Sequence, residues 1–573
     1  MSDLNISQKN IYTIFTERGS KFLIPDYQRP YSWEKDECET LWEDLYNFAF
    51  PSDRNFDMEK DEYFLGTIVT FKNECDENEV IDGQQRLMTL LLLLRAFYSA
   101  LTNDKPRIKN DVAECLWYID EDGEPDKNRL KIKYEVVTEE NSDELKKIIT
   151  EGQTAKEDKS LYAQNFRYFQ QKISEFKNES PTNFAYLPQR IMKNCIILPI
   201  ETNSQNTAFR IFTTLNDRGM PLSDSDIFKS QFYKLFKSQG KTSKDNFVNR
   251  WKKIETICNK IFNPRTGTPT DDLFMKFMYY KLAESGTKSD TFLGLRPYFE
   301  KDNYKEFKSE KSFEDLETLA NFWNDIALRD DERFSERILK RLYVLSYSPY
   351  NIWSYIVSIY FMGNKDSNNK LDEEKFCNFL NKITAMFLMH AIVNPGTQNI
   401  RRPFFLEFQN IFHGNEINFN QFKQNKKIFY EKLSDTKFSN QKKITRAMLA
   451  WWLFQDENQD LPPLDTKLEI EHIYAKRRAE FEPLQDNESL ELLGNKVLLE
   501  KRINIRASDY RFADKKKYYL GETNRKNDLH TFNLELLRLA KIKNDFTEDE
   551  ILERNEKIFE SFINYLAENN LLK

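Results

Sequence analysis

The apolar positions of this chain change their period along its length. Residues 7–18 repeat at helical spacing. Phe22-Leu23-Ile24 is a short strand-like run ended by Pro25, and Glu34 to Phe48 is helical again, with Cys38, Leu41, Trp42 and Leu45 on one face. Tyr63 to Phe71 reads as a strand, an acidic turn follows, and Val80-Ile81 makes the second arm of a hairpin. A strongly apolar helix is predicted over Leu87 to Leu101. Residues 102–190 give polar helices and an acidic hairpin around 121–125. Cys195 to Ile200 is a buried-strand candidate ended by proline. A helix over Asn206 to Leu215 should stop at Asn216-Asp217-Arg218-Gly219, and Ser223 with Asp226 should cap the next one.

From about 225 to 455 the period is helical almost throughout, as in Phe247–Ile261, Asp271–Leu282, Phe313–Ala327 and Phe376–Ala391. A polar stretch with two prolines, 455–465, reads as a boundary. After it Leu468 to His472 alternates as a strand does, Val497 to Leu499 is apolar, and helices close the chain, ending with Glu548 to Leu566. The expected fold class is α+β, mostly helical, with domains at 1–235, 236–460 and 461–573.

At 573 residues the chain is too long for one core. Its net charge of −7 excludes a uniformly basic nucleic-acid binder. Charge is local instead: Lys496 to Lys517 carries eight basic and three acidic side chains, a phosphate-binding surface or a solvated helix face. The six cysteines are scattered without a C-x-x-C pair, so neither a zinc site nor a disulfide framework is expected, and a reducing cytoplasm fits. The polar start lacks a signal peptide's apolar stretch, and the longest apolar run, Leu87 to Leu94, is too short to span a bilayer, so no membrane is expected.

Two stretches carry chemistry. The first is Asp82-Gly83-Gln84-Gln85-Arg86, a strand, a glycine turn and a helix start. Free backbone N–H groups and the helix dipole favour an anion there, and Arg86 adds a forked donor set, so a phosphate is the natural ligand. The bland alternative, a tight turn beside a surface arginine, weakens because the aromatic loop Asp26 to Trp33 accompanies it. The second stretch is Glu471-His472, then Asn495, then Asn504. Hydrolysing a phosphodiester takes a base and a cation, and a neutral histidine with carboxylate and amide oxygens for a hard metal supplies both. Taken singly, His472 is a packing residue, Glu471 a strand-edge charge, and the asparagines turn or cap residues. Adjacent strand residues face opposite ways, so Glu471 and His472 should diverge unless the strand ends there.

Glu-His-Ile at 471–473, Gly-Asn-Lys-Val-Leu-Leu at 494–499, Asn504 and Phe-Ala-Asp-Lys at 512–515 resemble the HNH (ββα-metal) nuclease module at the C-terminus of GmrSD-type restriction enzymes. The proline that often follows the histidine is missing here. Ile24 to Trp33, Ile81 to Leu90 and Ala208 to Ser223 resemble the family's N-terminal ParB/sulfiredoxin-like domain, in the family's order. The resemblance implies His472 as general base, Glu471 and Asn504 as ligands of Mg²⁺ or Mn²⁺, Asn495 as a structural member, and Lys515 near the phosphate. It further implies a nucleoside triphosphate (GTP, UTP, CTP or ATP) bound and hydrolysed at Asp82, Gly83, Gln84, Gln85 and Arg86, with Gln28 and Arg29 beside it. Tyr27, Tyr31 and Trp33 are candidate DNA sensors. The expected function is a modification-dependent, type IV-like DNA endonuclease of antiviral defence, acting on modified or foreign phage DNA, with a homodimer compatible. A phosphorothioate-sensing nicking relative, a nucleotide-regulated signalling protein with a degenerate site, and an RNA-directed nuclease stay open.

Overall fold

Helices carry most of the chain, around small sheets near its two ends, so the α+β, mostly helical class holds. The computed structural model describes all residues except 1–3, 18–20, 26–27, 29, 52–56, 58–59, 74, 103–104, 135–138, 156, 216–222, 265, 287–293, 396–399 and 524–528. The chain divides into two compact units, residues 1–249 and 250–573.

The first unit contains β1 (Asn5–Ile6), β2 (Lys9–Asn10), β3 (Phe22–Ile24), β4 (Tyr63–Lys72), β5 (Asn78–Asp82), β6 (Trp117–Ile119), β7 (Pro125–Leu130), β8 (Ile132–Tyr134) and β9 (Cys195–Thr202). Its main sheet has the order β1-β9-β4-β5-β3-β8, with β2 also on β9. The β4–β5 pair is the expected antiparallel hairpin, and β6–β7 is the hairpin around the acidic turn. The helix predicted over 7–18 is shorter, Ile11–Thr16, because the residues before it form β1 and β2 on the sheet edge. Strand β9 runs through Pro199 instead of ending there. Its edge partners pair at Ile200–Glu201 and at Ile196–Ile197, so the residue without an N–H falls where the edge strand is broken.

The apolar helix Gln84–Ala100 is the centre of this unit's core and is buried from Leu87 to Phe97. Being hydrophobic on all sides, it has helices packed around it, among them Pro106–Leu116 and Leu161–Glu179. Ser223 and Asp226 form the expected capping box, whereas the 216–219 turn lies outside the described residues.

In the second unit the predicted helices appear, extended by one to several residues at their caps, as in Pro269–Glu284, whose Thr268 and Asp271 form a capping box. The 455–465 stretch is tied in: buried Gln459 donates to the Phe532 carbonyl (3.0 Å) and accepts from the Leu534 N–H (2.9 Å). The helix Glu373–Val393 is long and apolar enough to cross a membrane, but 78% of its apolar window is buried, as in a core helix. His390 sits on it, buried, with Nδ1 3.1 Å from the Tyr350 hydroxyl, a packing role. The antiparallel pair β10 (Leu468–His472) and β11 (Lys496–Glu500) leads into the helix Lys501–Ala507 and then Phe512–Tyr519.

Candidate active site

Asn495 organises the hairpin. It is fully buried, and its Oδ1 accepts the Tyr474 N–H at 2.7 Å. Its Nδ2 donates to the carbonyls of Tyr474 and Leu490, both at 3.1 Å. Its own carbonyl takes the Ile473 N–H at 2.9 Å. One amide thereby closes the turn just after His472. Gly494 precedes it because the helix Glu548–Glu568 comes close: a Cβ there would lie 2.0 Å from the Ile551 carbonyl oxygen. Arg554 of the same helix, unnoticed in sequence, donates to the carbonyls of Leu493, Gly494 and Lys496 at 2.9–3.0 Å. It is itself gripped by both oxygens of Glu535 at 2.8 Å.

Strand β10 includes His472, so Glu471 and His472 occupy opposite faces. Glu471 is buried, and its Oε1 accepts from Lys515 Nζ (2.5 Å) and the Tyr519 hydroxyl (2.9 Å). Burial keeps its carboxyl above the usual range despite Lys515. His472 lies on the other face, its Nε2 3.8 Å from Glu491 Oε1. Burial, then Lys496 and Lys476, push its pKa down to about 3, so the ring is neutral near pH 7. Its Nε2 is buried without a hydrogen-bond partner. Glu491 pairs with Lys476 and, at 2.5 Å, with Lys496.

Asn504 lies on the helix Lys501–Ala507, and its Nδ2 donates to Glu469 Oε2 at 2.9 Å, which leaves its amide oxygen clear of that bond. Glu469 is the carboxylate the motif reading missed. The alternation Leu468-Glu469-Ile470-Glu471-His472 puts it on the Glu471 face. No group of three or more His, Cys, Asp or Glu suited to a metal occurs among the described residues. Glu469 and Asn504 bring hard oxygens to one place, and Glu471 follows on the same face of β10 with its Oε1 already held by Lys515 and Tyr519. These oxygens fit a cation such as Mg²⁺, which takes one or two carboxylates and completes its shell with water and substrate phosphate.

The structure relocates several expected surface residues. Lys515 is 1% exposed, spent on Glu471 and on the His472 carbonyl (2.7 Å). Lys496 is fully buried, so the basic surface of 496–517 comprises the remaining cations, among them exposed Lys501, Arg502, Arg511 and Lys517.

In the first unit, the strand-to-helix turn forms as expected: β5 ends at Asp82, Gly83 has φ +88°, and the helix begins at Gln84. A Cβ on Gly83 would stand 2.8 Å from Ile68 Cγ1. The polar side chains of the turn brace neighbouring loops. Gln85 accepts the Ser32 N–H (2.8 Å) and donates to the Pro30 carbonyl (3.2 Å). Arg86 donates to the Thr67 carbonyl (2.9 Å) and packs against Gly66, and Asp82 Oδ1 accepts the Gly83 N–H (2.7 Å). Gln28, 3% exposed, donates to the carbonyls of Val80 and Ile81, so the aromatic loop sits beside Asp82. Gln84 is buried. Tyr31 is a core residue, stacked on Tyr162 with its hydroxyl 2.7 Å from Thr89 Oγ1, and cannot reach DNA from there. Trp33 is half-buried against the same core, and Tyr27 and Arg29 lie outside the described residues.

Residues 11–233 match the family model described as GmrSD restriction endonuclease, N-terminal domain. Residues 423–561 match the model described as GmrSD restriction endonucleases, C-terminal domain. No curated protein matches the chain. The second match encloses the Asn495-closed hairpin and the part of its supporting helix that carries Ile551 and Arg554, the first the Asp82 turn, and the chain belongs to the GmrSD restriction endonuclease family.

Proposed function

We propose that this restriction endonuclease cuts DNA at the β10–β11 hairpin with His472 as general base. The observation that supports this is the placement of His472, whose Nε2 has no hydrogen-bond partner and lies 3.8 Å from Glu491 Oε1 on the hairpin that Asn495 closes. Burial, Lys496 and Lys476 oppose a charged ring and Glu491 favours it, so proton uptake at Nε2 would depend on that carboxylate. Asn495 and Lys515 fix the backbone that follows the ring through the Tyr474 N–H and the His472 carbonyl. Glu491 faces the imidazole and can steady the charge it gains. Glu469 and Asn504, with Glu471, would hold Mg²⁺ or Mn²⁺ on the face of β10 opposite His472. When bound, such a cation stabilises charge on the phosphate and the leaving oxygen.

The first unit acts as the sensor in this proposal, taking a nucleoside triphosphate at the Asp82–Arg86 turn. The positive end of the helix Gln84–Ala100, which has no side-chain cap, favours phosphate there. Gln85 and Gln28 tie that turn to the aromatic loop, so a ligand at the turn can shift the loop. Dependence on modified DNA of phage origin belongs to the same proposal.

The test is plasmid cleavage by wild type and His472→Ala. Substrates are unmodified, phosphorothioated and glucosyl-hydroxymethylated DNA, with Mg²⁺ or Mn²⁺, with and without each triphosphate. Cleavage should need His472 and a divalent cation. Equal cutting by His472→Ala, or none of any DNA by wild type, would sink the assignment.

A further inference from the structure

His472 Nε2 is closed off from solvent. The atom is buried and unpaired, and the whole side chain is 11% exposed. A buried polar atom without a partner is rare in folded proteins. A base that takes a proton from water also has to meet water. Some neighbour must therefore move before the ring can work. The group that faces Nε2 is Glu491, with Oε1 at 3.8 Å. The same oxygen holds the ammonium of Lys476. One carboxylate oxygen thus stands between the imidazole and a lysine.

Glu491 is held unequally by its two lysines. Lys496 takes Oε2 at 2.5 Å, is fully buried, and also donates to the Phe438 carbonyl. Lys476 is 55% exposed and Glu491 34%, so their pair is the solvent end of the cluster. An exposed ion pair contributes little and exchanges partners readily, whereas breaking a buried pair is costly. Asn495 fixes the Tyr474 backbone midway between His472 and Lys476, so the lysine side chain is the part left to move. Two ammoniums on one carboxylate leave the cluster with surplus positive charge, and Arg477 beside Lys476 is exposed. That surplus suits an anion arriving from solvent, and the anion a DNA-cutting site meets is a backbone phosphate.

We infer that Lys476 is a positioning residue for His472, a latch that bound DNA releases. With its ammonium on Oε1, the lysine keeps Glu491 facing Nε2. A DNA phosphate that takes the ammonium frees Oε1 and opens Nε2 to water. Lys496 keeps Oε2, so Glu491 stays beside the ring, paired one to one. The base is thereby kept from water until a phosphodiester stands next to it. The inference rests on the assignment of His472 as the base.

Two measurements on the full chain test the latch in wild type, Lys476→Met and Lys476→Arg. The first is histidine modification by diethylpyrocarbonate, mapped by mass spectrometry. Exposed His413 and His530 and buried His390 serve as internal standards for folding. In wild type His472 should react more slowly than the two exposed histidines. In Lys476→Met it should react about two- to fivefold faster, the range an exposed ion pair can impose on a closed conformation. Lys476→Arg should keep the slow rate. The second is binding of a fluorescein-labelled DNA duplex, without divalent cation, over a series of salt concentrations. Lys476→Met should reduce the slope of log affinity against log salt by about 0.9, one phosphate contact, and Lys476→Arg should retain it. In cleavage with Mg²⁺, the loss in Lys476→Met should fall on KM and not on kcat. Equal His472 rates in wild type and Lys476→Met, or an unchanged salt slope, overturn the latch. If the rates shift as stated yet His472→Ala cuts DNA like wild type, the base assignment falls and the cover on His472 stands.

Discussion

Lys515 and Glu471 form an ion pair of 2.5 Å between side chains only 1% and 9% exposed. The same ammonium donates to the His472 carbonyl at 2.7 Å, so one lysine joins the carboxylate on one face of β10 to the backbone that carries the histidine. Removing one partner of a buried pair leaves an uncompensated charge, at about 3–5 kcal/mol. Lys515→Met should therefore lower the melting temperature sharply. Lys515→Met combined with Glu471→Gln should recover much of it, since the Gln can still accept from Tyr519. Thermal denaturation of the three proteins checks this, and a double variant no more stable than the single one would refute it.

The parts of the site that could be read along the chain were those set by local rules. The two-residue period of a strand implies that Glu471 and His472 diverge, and β10 keeps that period through His472. A glycine before Asn495 was visible, but its reason, the backbone of Ile551 at contact distance, was not. Arg554 and Glu535 were invisible for the same cause: they look like ordinary charges on amphipathic helices, and only the tertiary fold turns Arg554 toward the Leu493–Lys496 carbonyls and sets Glu535 against its guanidinium. Tyr31 and Lys515 carry polar tips that read as exposed. Their partners are far along the chain, Asn165 for the tyrosine and Glu471 for the lysine, and burial followed from those contacts. Pro199 shows the reverse, a local stop signal cancelled because the neighbouring edge strand breaks where the N–H is missing.

Asn495 makes a test of positioning without touching His472. Asn495→Ala strips the buried Tyr474 N–H and two carbonyls of their partner. Each orphaned group costs about 1–3 kcal/mol. Asn495→Asp keeps the acceptor for Tyr474 but sets a carboxylate against the carbonyls of Tyr474 and Leu490. Both variants should lose cleavage and lose amide exchange protection at Tyr474. Hydrogen exchange by mass spectrometry reads the second effect independently of activity, and undisturbed protection would show that the turn does not depend on this amide.

Gly83 and Gly123 separate backbone strain from crowding. Their φ values are +88° and +87°, but a Cβ on Gly83 meets Ile68 Cγ1 at 2.8 Å, while nothing lies within 4 Å at Gly123. Gly123→Ala should cost only the left-handed strain, about 1–2 kcal/mol. Gly83→Ala adds overpacking of about 1–3 kcal/mol. Urea denaturation should rank Gly83→Ala clearly below Gly123→Ala. Equal losses would mean that β4 yields to the extra methyl.

Asp545 ties the segment after His472 to pH. Arg478 binds both its carboxylate oxygens, at 2.6 and 2.7 Å, and stacks over the Tyr474 ring. Those hydrogen bonds from Arg478 hold the Asp545 carboxyl below the usual range, outweighing its partial burial. A folded-state pKa lowered in this way contributes stability that is fully present above the unfolded value, about 3.9, and is lost as pH falls through the folded value. The Asp545 side chain is 44% exposed, so solvent screening limits the contribution to about 0.3–1 kcal/mol. Asp545→Asn should be less stable than wild type at neutral pH by that small amount, and the two should converge in acid. Chemical denaturation at pH 7 and across the acid range measures the difference. A gap that widens as pH falls would carry the wrong sign and remove Asp545 as the group that loosens the His472–Tyr474 turn in acid.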